Sequence, residues 1–214
     1  LEAATSEALR DGFTQVVVLG AGFDTLALRL QSVHPNVSFI EVDHPATQRY
    51  KRAAMPSERL NRQLIAADLG RSNLSTVLSS CPPPDPAADT LFLAEGLLMY
   101  LPSWQVRTLL SNIRDAVHPG ARCRLGFTFV EPYIDGHPDF AHATRGLRLW
   151  LQLRGGPFRW GVYREQLPSF LAHHGFTVRA TTIPEELRQQ YLTPTPGPTP
   201  TLVNGDNICL ADRT

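Results

Sequence analysis

The sequence predicts an α/β fold, a doubly wound sheet that is mostly parallel and has an antiparallel last strand. Three observations predict it. First, Val16-Val17-Val18-Leu19 runs straight into Gly20-Ala21-Gly22 and then into a helix-compatible stretch, Leu26 to Leu30. That order describes a buried parallel strand, a tight turn and a helix start. Second, strand and helix patterns alternate through most of the chain, which implies parallel strands joined by right-handed crossovers. Third, two late strand patterns are not separated by a long crossover helix. That favours a final antiparallel strand slotted beside its neighbour.

Each element follows from local pattern. Residues 2–11, rich in Ala and Glu, read as a short helix. Val16–Leu19 is the first strand, and Asp24–Ser32 a helix with Asp24 or Thr25 as its N-cap. Val37–Val42 is the second strand. Pro45–Met55 is a helix with proline in its first turn. Leu64–Ala67 is a short strand ending at Asp68-Leu69, and Leu74–Ser80 a helix stopped by a proline cluster from Pro82 to Pro86. Thr90–Ala94 is the fourth strand. Ser103–Val117 is amphipathic, with Val106, Leu109, Leu110, Ile113 and Val117 on one stripe. Arg122–Val130 is the fifth strand. Tyr163–His173 and Glu185–Tyr191 read as helices, and Phe176–Thr181 and Asn207–Ala211 as the last strands. The loop Thr193–Pro200 alternates proline with threonine and has the composition of a disordered segment.

The 214 residues suit one domain, 1–214, with the Arg- and aromatic-rich stretch 131–160 as a substrate-covering insertion. A chain of that size buries roughly 70% of the surface its unfolded form exposes. A hydrophobic content of 43%, a charged content of 19% and a net charge of +0 suit a soluble globular enzyme. No basic tract points to nucleic acid or a membrane surface. The longest apolar stretch, Thr90 to Leu101, is interrupted by Glu95 and falls short of the about 20 residues a span needs. Cys81, Cys123 and Cys209 form no CxxC pair, so they read as free thiols of a reducing cytoplasm, not as zinc ligands or a disulfide framework. No metal is expected.

Polar residues gather where strands end. In a doubly wound sheet the ligand lies across the carboxyl ends of the strands, at the switch point. Strand one ends in Gly20-Ala21-Gly22, strand two in Glu41-Val42-Asp43, strand three in Asp68-Leu69 and strand four in Glu95-Gly96. Glycine in the first turn lets the backbone bend sharply and a ligand approach it. Asp43 is placed to accept hydrogen bonds from a ribose diol. Asp68 sits where an adenine amino group would arrive, beside apolar Leu69. Glu95, inside the apolar run Leu91–Leu98, is costly unless satisfied and could face the amino end of a ligand. Acids at these ends suit a cationic ligand such as S-adenosylmethionine, which carries an ammonium and a sulfonium. They would repel the pyrophosphate of NAD. Thr25 also stands where a dinucleotide fingerprint wants a third glycine or alanine. The plainer alternatives are that Asp43 caps the helix opened by Pro45 and that Asp68 is itself an N-cap.

These segments resemble a known family. Val18-Leu19-Gly20-Ala21-Gly22-Phe23-Asp24-Thr25, Glu41-Val42-Asp43-His44-Pro45 with Lys51, Ala67-Asp68-Leu69, and Ala94-Glu95-Gly96-Leu97-Leu98-Met99-Tyr100-Leu101 are similar to the leucine carboxyl methyltransferases. That family includes protein phosphatase methyltransferases and bacterial O-methyltransferases. The resemblance covers about residues 15–130. It implies a class I methyltransferase fold, Rossmann-like, with seven strands, and S-adenosylmethionine as cofactor. It places Gly20 and its turn neighbours Ala21 and Gly22 at the methionine part, Asp43 at the ribose, Asp68 and Leu69 at the adenine, and Glu95 at the methionine amino side. Family members carry arginine where this chain has Leu26. They also carry a longer helical segment before the first strand, supplying a basic residue to the cofactor carboxylate. Either that segment is lost here or Arg10 takes its place.

The resemblance implies methyl transfer to an oxygen, a carboxylate or a hydroxyl, of a small-molecule or peptide acceptor. A carboxylate is already ionised at pH 7 and needs no base. A hydroxyl would gain from one, for which His137 or His142 is available. No catalytic residue is assigned, and the oligomeric state stays open. Arg145, Arg148, Arg154 and Arg159 could hold an acidic substrate, while Trp150, Phe158 and Trp160 line a substrate pocket or form the insertion's own core. His173-His174 read as a helix end. The rival readings are an NAD-dependent oxidoreductase and a non-catalytic cofactor-binding or scaffold protein.

Overall fold

The structure, a computed structural model, describes residues 1–55, 61–79, 85, 87–132, 158–192 and 207–214. In chain order its elements are α1 (Glu2–Arg10), β1 (Gln15–Leu19), α2 (Leu26–Leu30), β2 (Ser38–Asp43), α3 (Pro45–Ala54), β3 (Arg62–Ala66), α4 (Leu74–Ser79) and β4 (Thr90–Ala94). A 3-10 turn (Leu98–Tyr100), α5 (Ser103–Asp115), β5 (Cys123–Phe129), α6 (Leu167–Ala172), β6 (Phe176–Thr182), α7 (Pro184–Tyr191) and β7 (Asn207–Arg213) follow.

The strands form one seven-stranded sheet in the order β3-β2-β1-β4-β5-β7-β6. β1 to β5 pair in parallel, and β7 runs antiparallel to both β5 and β6. The expected doubly wound sheet with an antiparallel last strand is therefore present. The chain winds outward from β1 to β3, returns to β4 on the other side of β1, and so opens a crevice at the carboxyl ends of β1 and β4.

Period-two alternation divides the core between two faces. On one face Val16, Val18, Phe39, Leu91 and Leu93 meet Ala8 of α1, Phe13, and Leu26 and Ala27 of α2. On the other, Val17, Ile40, Val42, Phe92 and Leu125 meet Leu74 and Leu78 of α4 and the stripe Val106, Leu109, Leu110 and Ile113 of α5. Each fully buried Leu, Ile or Phe contributes about 1.5–3 kcal/mol. Cys123 and Cys209 are buried free thiols, and burial pushes both up to about 12.

Two helices are much shorter than their patterns suggest, while α3 and α5 end only one and two residues early. α2 starts at Leu26 because the Asp24 carboxylate accepts the Leu26 N–H at 2.8 Å, and it ends at Leu30. α6 starts at Leu167, not at Tyr163, because Pro168 has no N–H to give to Arg164. Among the described residues, no helix is long and apolar enough to cross a membrane, and no group of three or more His, Cys, Asp or Glu could hold a metal ion. Residues 133–157, which hold His137, His142, Arg145, Arg148, Trp150 and Arg154, lie outside the described residues, as do Cys81 and the loop 193–200. Of the aromatics the sequence placed with the substrate, Phe158 is buried beside Met99 and Val130, and Trp160 joins the main core against Phe170. Arg159 is exposed.

Candidate functional site

Sheet order alone brings the sequence-predicted residues to one edge. Reading across β3-β2-β1-β4, the strand exits carry Asp68 with Leu69, Asp43, Gly20-Ala21-Gly22, and Glu95. The first turn hangs on β2, since the Gly20 and Ala21 N–H groups both donate to Val42 O, at 2.9 and 3.2 Å. Gly20 and Gly22 take φ of 65° and 44°, and Gly96 takes 59°. These are left-handed values that side chains avoid. A Cβ on Gly96 would meet nothing within 4 Å, and one on Gly22 nothing nearer than 3.9 Å. The space above these two residues is therefore open to a ligand. Gly20 differs. A Cβ there would lie 2.9 Å from Leu97 Cδ1, so this glycine also serves packing.

Asp43 is half-buried, and both of its oxygens are engaged. Oδ2 accepts the Gly22 N–H and Oδ1 accepts the His44 N–H. The α3 helix is capped instead by His44, whose Nδ1 accepts from Ala46 N at 3.3 Å. Each carboxylate oxygen retains acceptor capacity, which a ribose diol could use. Asp68 is not the N-cap of the plainer reading, since the next helix, α4, begins at Leu74; it closes a turn instead. Its Oδ1 accepts the Gly70 N–H at 2.9 Å, and its carbonyl accepts from Arg71 and Ser72 at 3.0 and 2.8 Å. Leu69 is half-buried and packs on the main core.

Glu95 departs from expectation. It is exposed, not buried among leucines, because β4 stops at Ala94 and the chain leaves the sheet at Glu95-Gly96. It borders a cleft of about 290 Å³ floored by Val18 and Leu93, with Asp24, Arg29 and Glu2 on its walls. Arg29 Nη1 lies 2.7 Å from Glu2 Oε1, and both side chains are about half exposed. Arg29 is thus a cation beside two acids, three residues beyond Leu26. Arg10 is elsewhere. α1 runs from Glu2 at this cleft to Arg10, and Asp11 just beyond it meets Arg124 at 3.2 Å near the start of β5, so Arg10 stands toward the sheet's amino edge. It borders a larger cleft of about 820 Å³ between α1, α7 and the β6–β7 face, which none of the predicted residues at the strand ends lines.

One group of residues was missed. Glu41 does not belong to the strand end. It is 1% exposed within β2, with Lys51 Nζ 2.9 Å and Arg62 Nη1 3.9 Å from its Oε2. Burial raises its pKa, opposed by Lys51 and Arg62. The sequence signal was available, because a glutamate between Phe39-Ile40 and Val42 needs a buried partner.

The leucine carboxyl methyltransferase family model matches residues 1–114. The chain belongs to this family. A Mycobacteroides abscessus protein, provisionally named an S-adenosyl-L-methionine-dependent methyltransferase, is 34% identical over 191 residues, covering 82% of this chain and 58% of its own length. A Streptomyces coelicolor protein of the same provisional name is 36% identical over 195 residues, covering 86% and 61%. The chain therefore spans about three fifths of the length of these relatives. Among solved structures, an O-methyltransferase family protein from Burkholderia thailandensis superposes with a TM-score of 0.60 at 14% identity, covering 100% of this chain and 55% of that one. This last likeness bears on the fold. Family membership does not favour the NAD reading.

Proposed function

We propose that the chain binds S-adenosylmethionine at the carboxyl edge of β1 to β4 and transfers its methyl group to an oxygen of a small-molecule or peptide acceptor. One observation carries the reading: Asp43, at the end of β2, is tied to the open glycine turn at the end of β1. Family membership and the provisional names of the relatives support it. When bound, S-adenosylmethionine supplies a methyl group already activated by its sulfonium.

The chain's residues bind and orient. Asp43 accepts from the ribose hydroxyls. Asp68 and Leu69 offer an acceptor and an apolar surface to the adenine, and Gly20, Ala21 and Gly22 let the amino-acid portion approach the backbone. Glu95 and Asp24 meet the ammonium, while Arg29 meets the carboxylate in the role first considered for Arg10. Proximity and alignment of this kind are worth about 7–11 kcal/mol. The family's name favours a carboxylate acceptor, which is ionised at neutral pH and needs no base from the protein.

Calorimetry with S-adenosylhomocysteine and with NAD tests the reading. Binding of the former and not the latter is expected. A folded chain that fails to bind S-adenosylhomocysteine overturns it, and binding without turnover over a panel of acceptors supports the scaffold alternative.

A further inference from the structure

We propose that Lys51 is a positioning residue that holds the Ala21–Gly22 peptide of the cofactor turn from inside the protein; this rests on the cofactor reading above. The peptide unit is planar, so the Ala21 carbonyl and the Gly22 N–H belong to one rigid group and point in opposite directions. The structure occupies both ends of that group. The Gly22 N–H donates to Asp43 Oδ2, and Lys51 Nζ, 3.4 Å away, donates to Ala21 O. Both holders depend on β2. Asp43 and Glu41 are two residues apart and so share a strand face, and Glu41 anchors Lys51 at 2.9 Å.

The energetics give the arrangement its interest. Lys51, Glu41 and Arg62 are all at most 1% exposed. Taking three charges out of water is expensive, and apolar residues of similar volume often serve stability as well or better. Local pairing does not use the whole group either, since Arg62 Nη2 on β3 and Gln48 Oε1 on α3 are buried without a hydrogen-bond partner among the described residues. Hence the geometric role of the lysine, not its contribution to stability, explains its place. Gln48 Nε2 donates to Glu41 O at 3.0 Å and keeps α3 in register with β2, so Lys51 meets the turn at a fixed height. Orienting the Ala21–Gly22 plane keeps the Gly22 N–H on Asp43. That fixes the carboxylate rotamer that faces the ribose.

The test uses the full chain with the double substitution Lys51→Met and Glu41→Gln, which removes both charges together. Urea melts establish that it folds. Amide hydrogen exchange is then read at Gly22 and, as an internal control, at Val18 in β1. General loosening moves both amides, whereas loss of positioning moves Gly22 alone. A selective loss of Gly22 protection and about tenfold weaker S-adenosylhomocysteine binding are expected. Unchanged Gly22 protection relative to Val18 in the folded variant overturns the proposal. If the first pair does not fold, Lys51→Gln with Glu41→Gln keeps a polar pair but stops short of Ala21 O, and the same ratio decides. The exchange readout needs no ligand. A wild-type chain that ignores S-adenosylhomocysteine therefore sinks the cofactor reading while the Gly22 result still judges Lys51.

Discussion

The Asp43 carboxylate accepts the backbone N–H of Gly22, so the end of β2 and the turn after β1 are one hydrogen-bonded unit. On the proposed reading this charged acceptor also takes a ribose hydroxyl, which makes it hard to replace. Asp43→Ala is expected to weaken S-adenosylhomocysteine binding by about 1–3 kcal/mol, the range for hydrogen bonds to charged groups. Calorimetry on the folded variant measures this, and unaltered affinity removes Asp43 from the site.

Arg29 pairs with Glu2 on an exposed wall of the small cleft. Such pairs add little to stability, so Arg29→Gln should fold normally. It is expected to bind S-adenosylhomocysteine about tenfold more weakly. Binding of 5′-methylthioadenosine, which lacks the amino-acid end, should not change. Equal loss for both ligands would mean that Arg29 does not face the carboxylate.

The glycines should separate in a stability series. Gly20→Ala combines left-handed strain with a 2.9 Å approach to Leu97 Cδ1, and a loss of about 2–4 kcal/mol is expected. Gly96→Ala meets open space and suffers the strain alone, about 1–2 kcal/mol. Urea melts of the two variants, with Leu97→Ala added to each, give the comparison. Relief by Leu97→Ala should appear only beside Gly20→Ala.

Asp89 receives two guanidinium contacts from Arg122, at 2.9 and 2.7 Å, and its backbone N–H at 2.6 Å. The Arg122 hydrogen bond is the main cause holding this carboxyl below its ordinary range. A lowered folded pKa means stability that is present above the unfolded pKa and is lost as pH falls through the folded one. Asp89→Asn should therefore be less stable than wild type at pH 7 by about 0.5–1 kcal/mol, given partial exposure. The difference should close as the pH falls below the ordinary carboxylate range and through the lowered folded pKa of Asp89. A gap that persists in acid would assign the effect to geometry and not to charge.

Much of the fold was legible because its signals are local. The β-branched run before Gly20, the apolar stripe of α5 and the proline opening α3 each specify one element through periodicity or a fixed φ. The fourth strand falls where its pattern puts it, at Thr90–Ala94. The candidate site was legible as a set of strand ends, since a doubly wound sheet assigns those ends to one edge. What sequence pattern could not supply was distance across the fold. Glu41 looked like a member of the Asp43 group, yet it lies one pleat inside, where Lys51 of the next helix closes on it. Arg10 looked available because it is near in sequence, yet a helix length separates it from the cleft that Glu2 borders. Arg29 carried no pattern of its own and is marked only by where α2 sets it down.

β7 lies between β5 and β6 and is antiparallel to both, although it is the last strand in the chain. Among the described residues, β6 has no other neighbour in the sheet. Until Asn207–Arg213 arrive, Phe176–Thr182 have no strand to pair with, and the β5 edge is bare on that side. Assembly of this half must therefore wait for a long-range pairing, which slows folding and prolongs the life of a species with two open edges. During synthesis β1 to β4 can form first and wait, while the other half becomes a sheet only when Asn207–Arg213 pair with the β5 edge and with Phe176–Thr182.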